Sequence, residues 1–249
     1  MDLNADLGEG FGVWRLGDDE ALLGLITSAN VACGFHAGDP ATMRRVCAAA
    51  AERRVAVGAQ VGYRDLAGFG RRHIAYEFTQ LRDEVLYQLG ALDAFCRPYR
   101  TRVRYLKPHG ALYHAAACDE TQAAALVAAV DDYDPELPLL CPPGSVLAQL
   151  AQGAGLRVVA EGFADRNYLP NGQLVPRTSP NALVTDPQEV AAQAVRMATE
   201  RTVVAVDGTV VPCAVDSICL HGDSPGAVAA AELVRAALVD AGTTPTPFT

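Results

Sequence analysis

The sequence predicts an α/β fold, a closed or nearly closed β/α barrel built as a single domain over residues 1–249. Three observations point there. Short β-branched runs alternate with longer helical stretches along the chain, as successive βα units require. The length of 249 residues, 50% of them hydrophobic, suits one large barrel domain. Reactive polar residues fall repeatedly where the strands end, and the C-terminal edge is the working face of parallel α/β folds. An open doubly wound sheet fits the same alternation and stays as the alternative.

Strands are expected near Asp2–Leu7, Ser28–Gly34, Val55–Val61, Val103–Lys107, Leu137–Cys141, Arg157–Phe163 and Ser217–His221. Helices are expected near Pro40–Arg53, Thr79–Arg97, Glu120–Asp132, Ser145–Gln152, Pro187–Thr199 and Pro225–Asp240. Three of them open on a capping residue followed by proline: Asp39-Pro40, Asp186-Pro187 and Ser224-Pro225. Asp207-Gly208 between two short apolar runs predicts a small β-hairpin inserted before the last strand. The segments Gly62–Tyr76 and Ala164–Pro180 read as long binding loops, and Gly242–Thr249 as a frayed tail.

Composition narrows the partners. The formal net charge is −9 with no basic stripe, which argues against nucleic acid because phosphate binding needs clustered Lys and Arg. No apolar run approaches the roughly 20 residues that span a bilayer, and no secretory leader opens the sequence. The seven cysteines are odd in number and never form CxxC, so neither a disulfide scaffold nor a thiolate zinc site is expected. A cytoplasmic location follows as the expectation. The chain carries no G-x-x-x-x-G-K-[ST] loop and no G-x-G-x-x-G after a strand, and it lacks a G-x-S-x-G elbow.

The strand ends carry the chemistry. Strand one runs into Asn4, Asp6 and Glu9; the two carboxylates can supply a general base and an anchor, whereas a loop-capping role is the plainer alternative for Asp6. Strand two leads to His36 between small residues, with its ring free to face a cavity. Strand four ends in Lys107-Pro108-His109, where alternate side chains of an extended segment reach the same site. Lys107 is the only lysine; an ammonium there can hold a carboxylate or stabilise an oxyanion, and His109 can move a proton. Strand six continues into Asp165 and Arg166, an ion pair or a divided carboxylate clamp, and strand seven into His221. Arg71 and Arg72 lie on a Gly-rich loop, placed either to close over an anion or simply to be solvated. His114, five residues after His109, suits no metal pair.

At these residues the chain resembles the 5-oxoprolinase A-component family, also called the LamB/YcsF family. The likeness runs through DLNADLGEGFG at 2–12, SANVACGFHAGDP at 28–40, GFGRR at 68–72, YLKPHGALY at 105–113, EGFADRNYLPNGQLVPR at 161–177 and ICLHGDSPGAV at 218–228. The resemblance implies an irregular seven-stranded β/α barrel related to the glycoside hydrolase/deacetylase barrels. It also implies ATP-dependent opening of 5-oxoproline to L-glutamate together with B and C subunits, with ATP as cosubstrate of the complex. Carried over by position, Asp6, Glu9, His36, Lys107, His109 and Asp165 are the catalytic candidates, and Asn4, Arg72, Arg166 and His221 the substrate-binding ones. One departure stands out: the family usually reads Gly-Ala-His-Pro-Gly-Tyr where this chain has Gly58-Ala59-Gln60-Val61-Gly62-Tyr63. Glutamine cannot shuttle a proton and is a poor transition-metal ligand, so no metal is assigned. The rivals are a metal-dependent hydrolase with Asp6, His36 and His109 as ligands, and a non-catalytic protein that binds a small carboxylic acid.

Overall fold

A computed structural model describes every residue except Pro225. Seven parallel strands close into a barrel: β1 (Asp2–Leu7), β2 (Ser28–Ala32), β3 (Ala56–Val61), β4 (Val103–Pro108), β5 (Leu139–Cys141), β6 (Val158–Phe163) and, after a two-stranded insertion, β9 (Ser217–Leu220). Each pairs in parallel with its sequence neighbour, and β9 lies between β6 and β1 to complete the ring. Closure settles the choice against an open sheet. The insertion is the predicted hairpin, β7 (Thr202–Val204) against β8 (Val210–Pro212).

Period-two alternation explains the interior. Leu3, Ala5 and Leu7 of β1, Ala29 and Val31 of β2, and Val57, Ala59 and Val61 of β3 face outward into one large apolar core beneath the helices. The other face of the same strands points into the barrel and carries Asp2, Asn4 and Asp6, Ser28 and Asn30, Gln60, Lys107, Glu161 and Ser217, all buried. The lumen is therefore largely polar and tied by hydrogen bonds between side chains, with a small apolar cluster of Tyr105, Leu140 and Val159 separate from the outer core.

The helices are α1 (Asp19–Leu23), α2 (Pro40–Arg53), α3 (Phe78–Cys96), α4 (Gly110–Ala116), α5 (Glu120–Tyr133), α6 (Val146–Gly153), α7 (Pro187–Glu200) and α8 (Ala227–Asp240). The predicted caps at Asp39 and Asp186 form: Asp39 accepts from the amides of Ala41 and Thr42, and Asp186 from that of Gln188. The Ser224-Pro225 start lies partly outside the described residues; α8 is preceded by Gly226 in a left-handed conformation. Helices α1 and α4 add to the predicted set, because five and seven residues are too short for a helical period to emerge.

The C-terminal tail is anchored, contrary to the expected fraying. Arg157 Nη2 donates to the Phe248 carbonyl at 2.6 Å, and the Thr246 amide donates to that of Met1 at 3.0 Å. The Phe248 ring meets Tyr105 edge-on at 5.0 Å, closing the N-terminal end of the lumen. Tyr105 crosses the lumen because Gly58 opposite it has no side chain; a Cβ there would overlap the phenol ring. At the other end, Gly70 holds φ +63° against the imidazoles of His36 and His109, with room for no Cβ.

Candidate active site

At the centre of the C-terminal face, Lys107 Nζ lies 3.1 Å from Asp6 Oδ1 and 2.8 Å from Glu161 Oε1. It also reaches Asn4 Oδ1 at 3.4 Å and Cys219 Sγ at 3.1 Å. Strand register produces the cluster, since alternate residues of β1, β4, β6 and β9 all point inward. Burial works against the ammonium, but Asp6, Cys219 and Glu161 together hold its pKa well above the usual value. Burial likewise would raise the Asp6 carboxyl; Lys107 and His221 overcome it and keep that group below the ordinary range. For Glu161 burial prevails, and its carboxyl is raised.

Hydrogen bonds support this triad from below. Asn30 Nδ2 donates to Asp6 Oδ1 at 2.8 Å and to Asn4 Oδ1 at 2.6 Å, while the Tyr105 hydroxyl donates to Asn30 Oδ1 at 2.6 Å. Asn4 Nδ2 donates to Ser217 Oγ at 2.7 Å, and Ser217 in turn donates to Asp2. Each amide is used at both ends, which fixes its orientation and that of the carboxylate it serves.

A second cluster lies beside the first. The His36 and His109 rings stack with centroids 3.9 Å apart and 16° between planes. Glu9 Oε1 is 3.7 Å from His109 Nε2 and 4.0 Å from His36 Nε2. Gln60 ties the group together, donating to Glu9 Oε1 at 3.2 Å while its carbonyl oxygen lies 3.3 Å from His36 Nε2. Burial lowers His36 to about 4. Burial, then neighbouring His36 and Arg71, takes His109 well below its usual value. Both rings are therefore neutral at pH 7. Burial, with Asp6 and Asp223 nearby, pushes the Glu9 carboxyl well above its usual range. The ligand atoms of Glu9, His36 and His109 lie within 4.8 Å of one another, so this buried group could hold a metal ion. Asp6 is not in it, because its carboxylate serves Lys107; the ligand set of the metal-hydrolase rival is corrected to Glu9, His36 and His109.

A third pair stands at the rim. His221 Nδ1 lies 2.9 Å from both Asp165 oxygens, and the His221 amide donates to Asp165 at 2.9 Å. Burial opposes the Asp165 charge, but His221 keeps its pKa below the usual value. Asp165 pairs with His221 rather than with Arg166. The buried guanidinium of Arg166 donates from Nε to the Ala182 carbonyl at 3.1 Å and from Nη2 to that of Val175 at 2.6 Å. Burial lowers its pKa to about 10.

A cleft opens above these groups, with Asp6, Lys107, His109, Arg166 and His221 in its walls. Its free interior volume is about 30 Å³, room for one or two waters. Asn4, Glu9, His36 and Asp165 stand behind those walls, within one or two side chains of them. Arg72 is elsewhere: it forms an ion pair with Asp65, its Nε 3.0 Å from Oδ2, and its side chain is 67% exposed. Arg71 reaches the cleft instead, bound to Asp223 at 2.7 Å. His114 and Tyr113 also line it, delivered by the short helix α4.

The sequence pattern of the LamB/YcsF family matches residues 1–249. The chain belongs to the LamB/YcsF family. Within that family it is 56% identical, over 97% of its length and 96% of the relative's, to the 5-oxoprolinase A subunit of Nocardia farcinica. It is 57% identical, with the same coverage, to the 5-oxoprolinase A subunit of Mycobacterium marinum. The crystal structure of a lactam utilization protein from Thermus thermophilus superposes with a TM-score of 0.94 at 45% identity, covering 99% of both chains. A putative cellobiose-phosphate cleavage protein from Enterococcus faecalis shares only the fold, at TM-score 0.55 and 15% identity. No helix among the described residues is long and apolar enough to cross a membrane.

Four residues escape a reading of the sequence. Glu161 and Asn30 lie within strands and not at their ends, and Tyr105 reads as ordinary core. The signal for all three is the period-two polar face that Asp2, Asn4 and Asp6 announce in β1. Arg177 stands in a loop whose path no local pattern predicts.

Proposed function

We propose that this LamB/YcsF member is the A component of an ATP-dependent 5-oxoprolinase, opening 5-oxoproline to L-glutamate together with B and C subunits. The observation that carries the reading is the meeting of two clusters at one cleft: a buried lysine fixed between carboxylates, and a buried Glu–His–His group beside it. Its kinship with 5-oxoprolinase A subunits, over nearly the full length, names the lactam.

Ring opening adds water across the C–N bond of a stable amide, so charge develops on the carbonyl oxygen while the nitrogen must gain a proton. Lys107 supplies positive charge for that oxygen. Glu9, with its raised pKa, and the neutral imidazole of His109 are suited to taking a proton from water and returning one to the departing nitrogen. His36 stacks on His109 and orients it, Asp6 orients Lys107, and Asp165 orients His221 toward the cleft. Asn4 serves Lys107 from beneath, and Arg166 shapes the wall. Coupling to ATP overcomes amide stability; without a phosphate-binding loop in this chain, ATP contacts fall mainly to the partners. Seven free thiols accord with a cytoplasmic setting.

The test is reconstitution. The chain with its B and C subunits, ATP and 5-oxoproline yields glutamate, and Lys107→Ala or His109→Ala abolishes it. Undiminished turnover by either variant refutes the assigned roles. The Glu9–His36–His109 group favours a second reading, metal-dependent amide hydrolysis. Stoichiometric zinc in the purified protein, with partner-free hydrolysis lost on chelation, would select it.

A further inference from the structure

Four cationic arginine and lysine side chains line the cleft: Arg71, Lys107, Arg166 and Arg177. Three are committed. Lys107 is paired with Asp6 and Glu161, Arg71 with Asp223, and Nε and Nη2 of Arg166 go to the Ala182 and Val175 carbonyls. Among the described residues, Arg177 has no carboxylate within ion-pair distance and no hydrogen-bonded side-chain partner. It is half-buried, so it is not simply a solvated surface charge.

Its backbone is held in place. Pro176 restricts the preceding residue, the Ser179 amide donates to the Pro176 carbonyl at 2.9 Å, and the Val175 amide donates to the Asn167 carbonyl at 2.9 Å. The Arg166 bond to the Val175 carbonyl pins the chain two residues before Arg177. An uncommitted guanidinium on a fixed segment, in the wall of a small cleft, has the geometry of an anion receptor, because its planar fork matches a carboxylate in bidentate fashion.

We infer that Arg177 is the carboxylate-binding residue of the cleft, and that it makes the site select lactams bearing an α-carboxylate over neutral lactams. The inference deepens the 5-oxoprolinase reading and rests on it for the identity of the acid. It moves substrate anchoring away from Arg72, which is bound to Asp65 outside the cleft, and away from Arg166.

The experiment compares 5-oxoproline with its neutral carboxamide, 5-oxoprolinamide, as ligands of the chain and of the reconstituted complex. Wild type binds the acid at least about tenfold more tightly, the yield of one charge-assisted bidentate contact. Arg177→Ala removes that preference by weakening the acid alone, and Arg177→Lys, which keeps the charge without the fork, retains part of it. In turnover, Arg177→Ala raises KM for 5-oxoproline about tenfold or more while kcat changes far less. Equal binding of acid and amide by wild type, no binding of the acid by chain or complex, or a preference that survives in Arg177→Ala overturns the inference. A complex that makes no glutamate but still discriminates through Arg177 refutes the oxoprolinase reading alone.

Discussion

Replacing Lys107 by methionine removes the buried ammonium from the barrel lumen and leaves its volume almost unchanged. At an effective dielectric of about 20, the contacts at 3.1 Å to Asp6 and 2.8 Å to Glu161 are each worth about 5–6 kcal/mol. Desolvating the ammonium returns several kcal/mol, and repulsion between the two carboxylates takes a share. The expected net loss is about 3–5 kcal/mol, the usual cost of stranding a buried charge. That is a large part of the roughly 5–15 kcal/mol that keeps a domain folded. The sign of the pH dependence follows from the carboxyls. In the native protein Asp6 titrates below its ordinary 3.8, so its contribution is present above that pH and lost as pH falls through the lowered value. In Lys107→Met both folded carboxyls titrate above their unfolded values, so the deficit is fullest at neutral pH and shrinks as they protonate. Urea denaturation with linear extrapolation at about pH 7.5 and about pH 5 measures both. Adding Glu161→Gln restores part of the stability by removing one stranded charge. A loss below about 1 kcal/mol at the higher pH, or one identical at the lower pH, would refute the buried-triad account.

Three further outcomes follow from the same geometry. Gly58→Ala places a methyl group in the Tyr105 ring and costs about 1–3 kcal/mol, seen as a lower melting temperature, with the Asn30–Tyr105 bond disturbed. Asp165→Asn removes the charge that holds His221; stability above about pH 4 falls by about 1–3 kcal/mol, and the acid-side loss caused by protonating this lowered carboxyl disappears from the pH–stability curve. Gln60→His adds an imidazole next to the Glu9–His36–His109 group, so calorimetry with zinc should show affinity at least about tenfold above wild type; equal affinities would mean that residue 60 does not reach the group's shared centre.

Much of this is legible from the residues alone. Hydrophobic alternation in Asp2–Leu7 and the caps at Asp39 and Asp186 depend on neighbours within a few positions, and those elements form where they are expected. The strand-end placement of Lys107 and His109 is equally local, since β4 must end at Pro108 and point both side chains one way. The tail departs from expectation for the opposite reason: Phe248 is held by Arg157 and Tyr105, partners invisible from its own sequence.

Composition, period and motif determined a parallel α/β chain with carboxylates, imidazoles and a sole lysine at its strand ends. Only the closed barrel decided how they divide. Closure set β9 beside β1 and brought Glu161 of β6 to Lys107 of β4, which made the lysine one member of a buried triad. Within the strand-end loops Arg166 turned to backbone carbonyls and Arg72 to Asp65, while Arg177 faces the cleft. Side-chain direction follows from the strand's own period, but which charge meets which depends on contacts between residues far apart in the chain, and those exist only after the ring has closed.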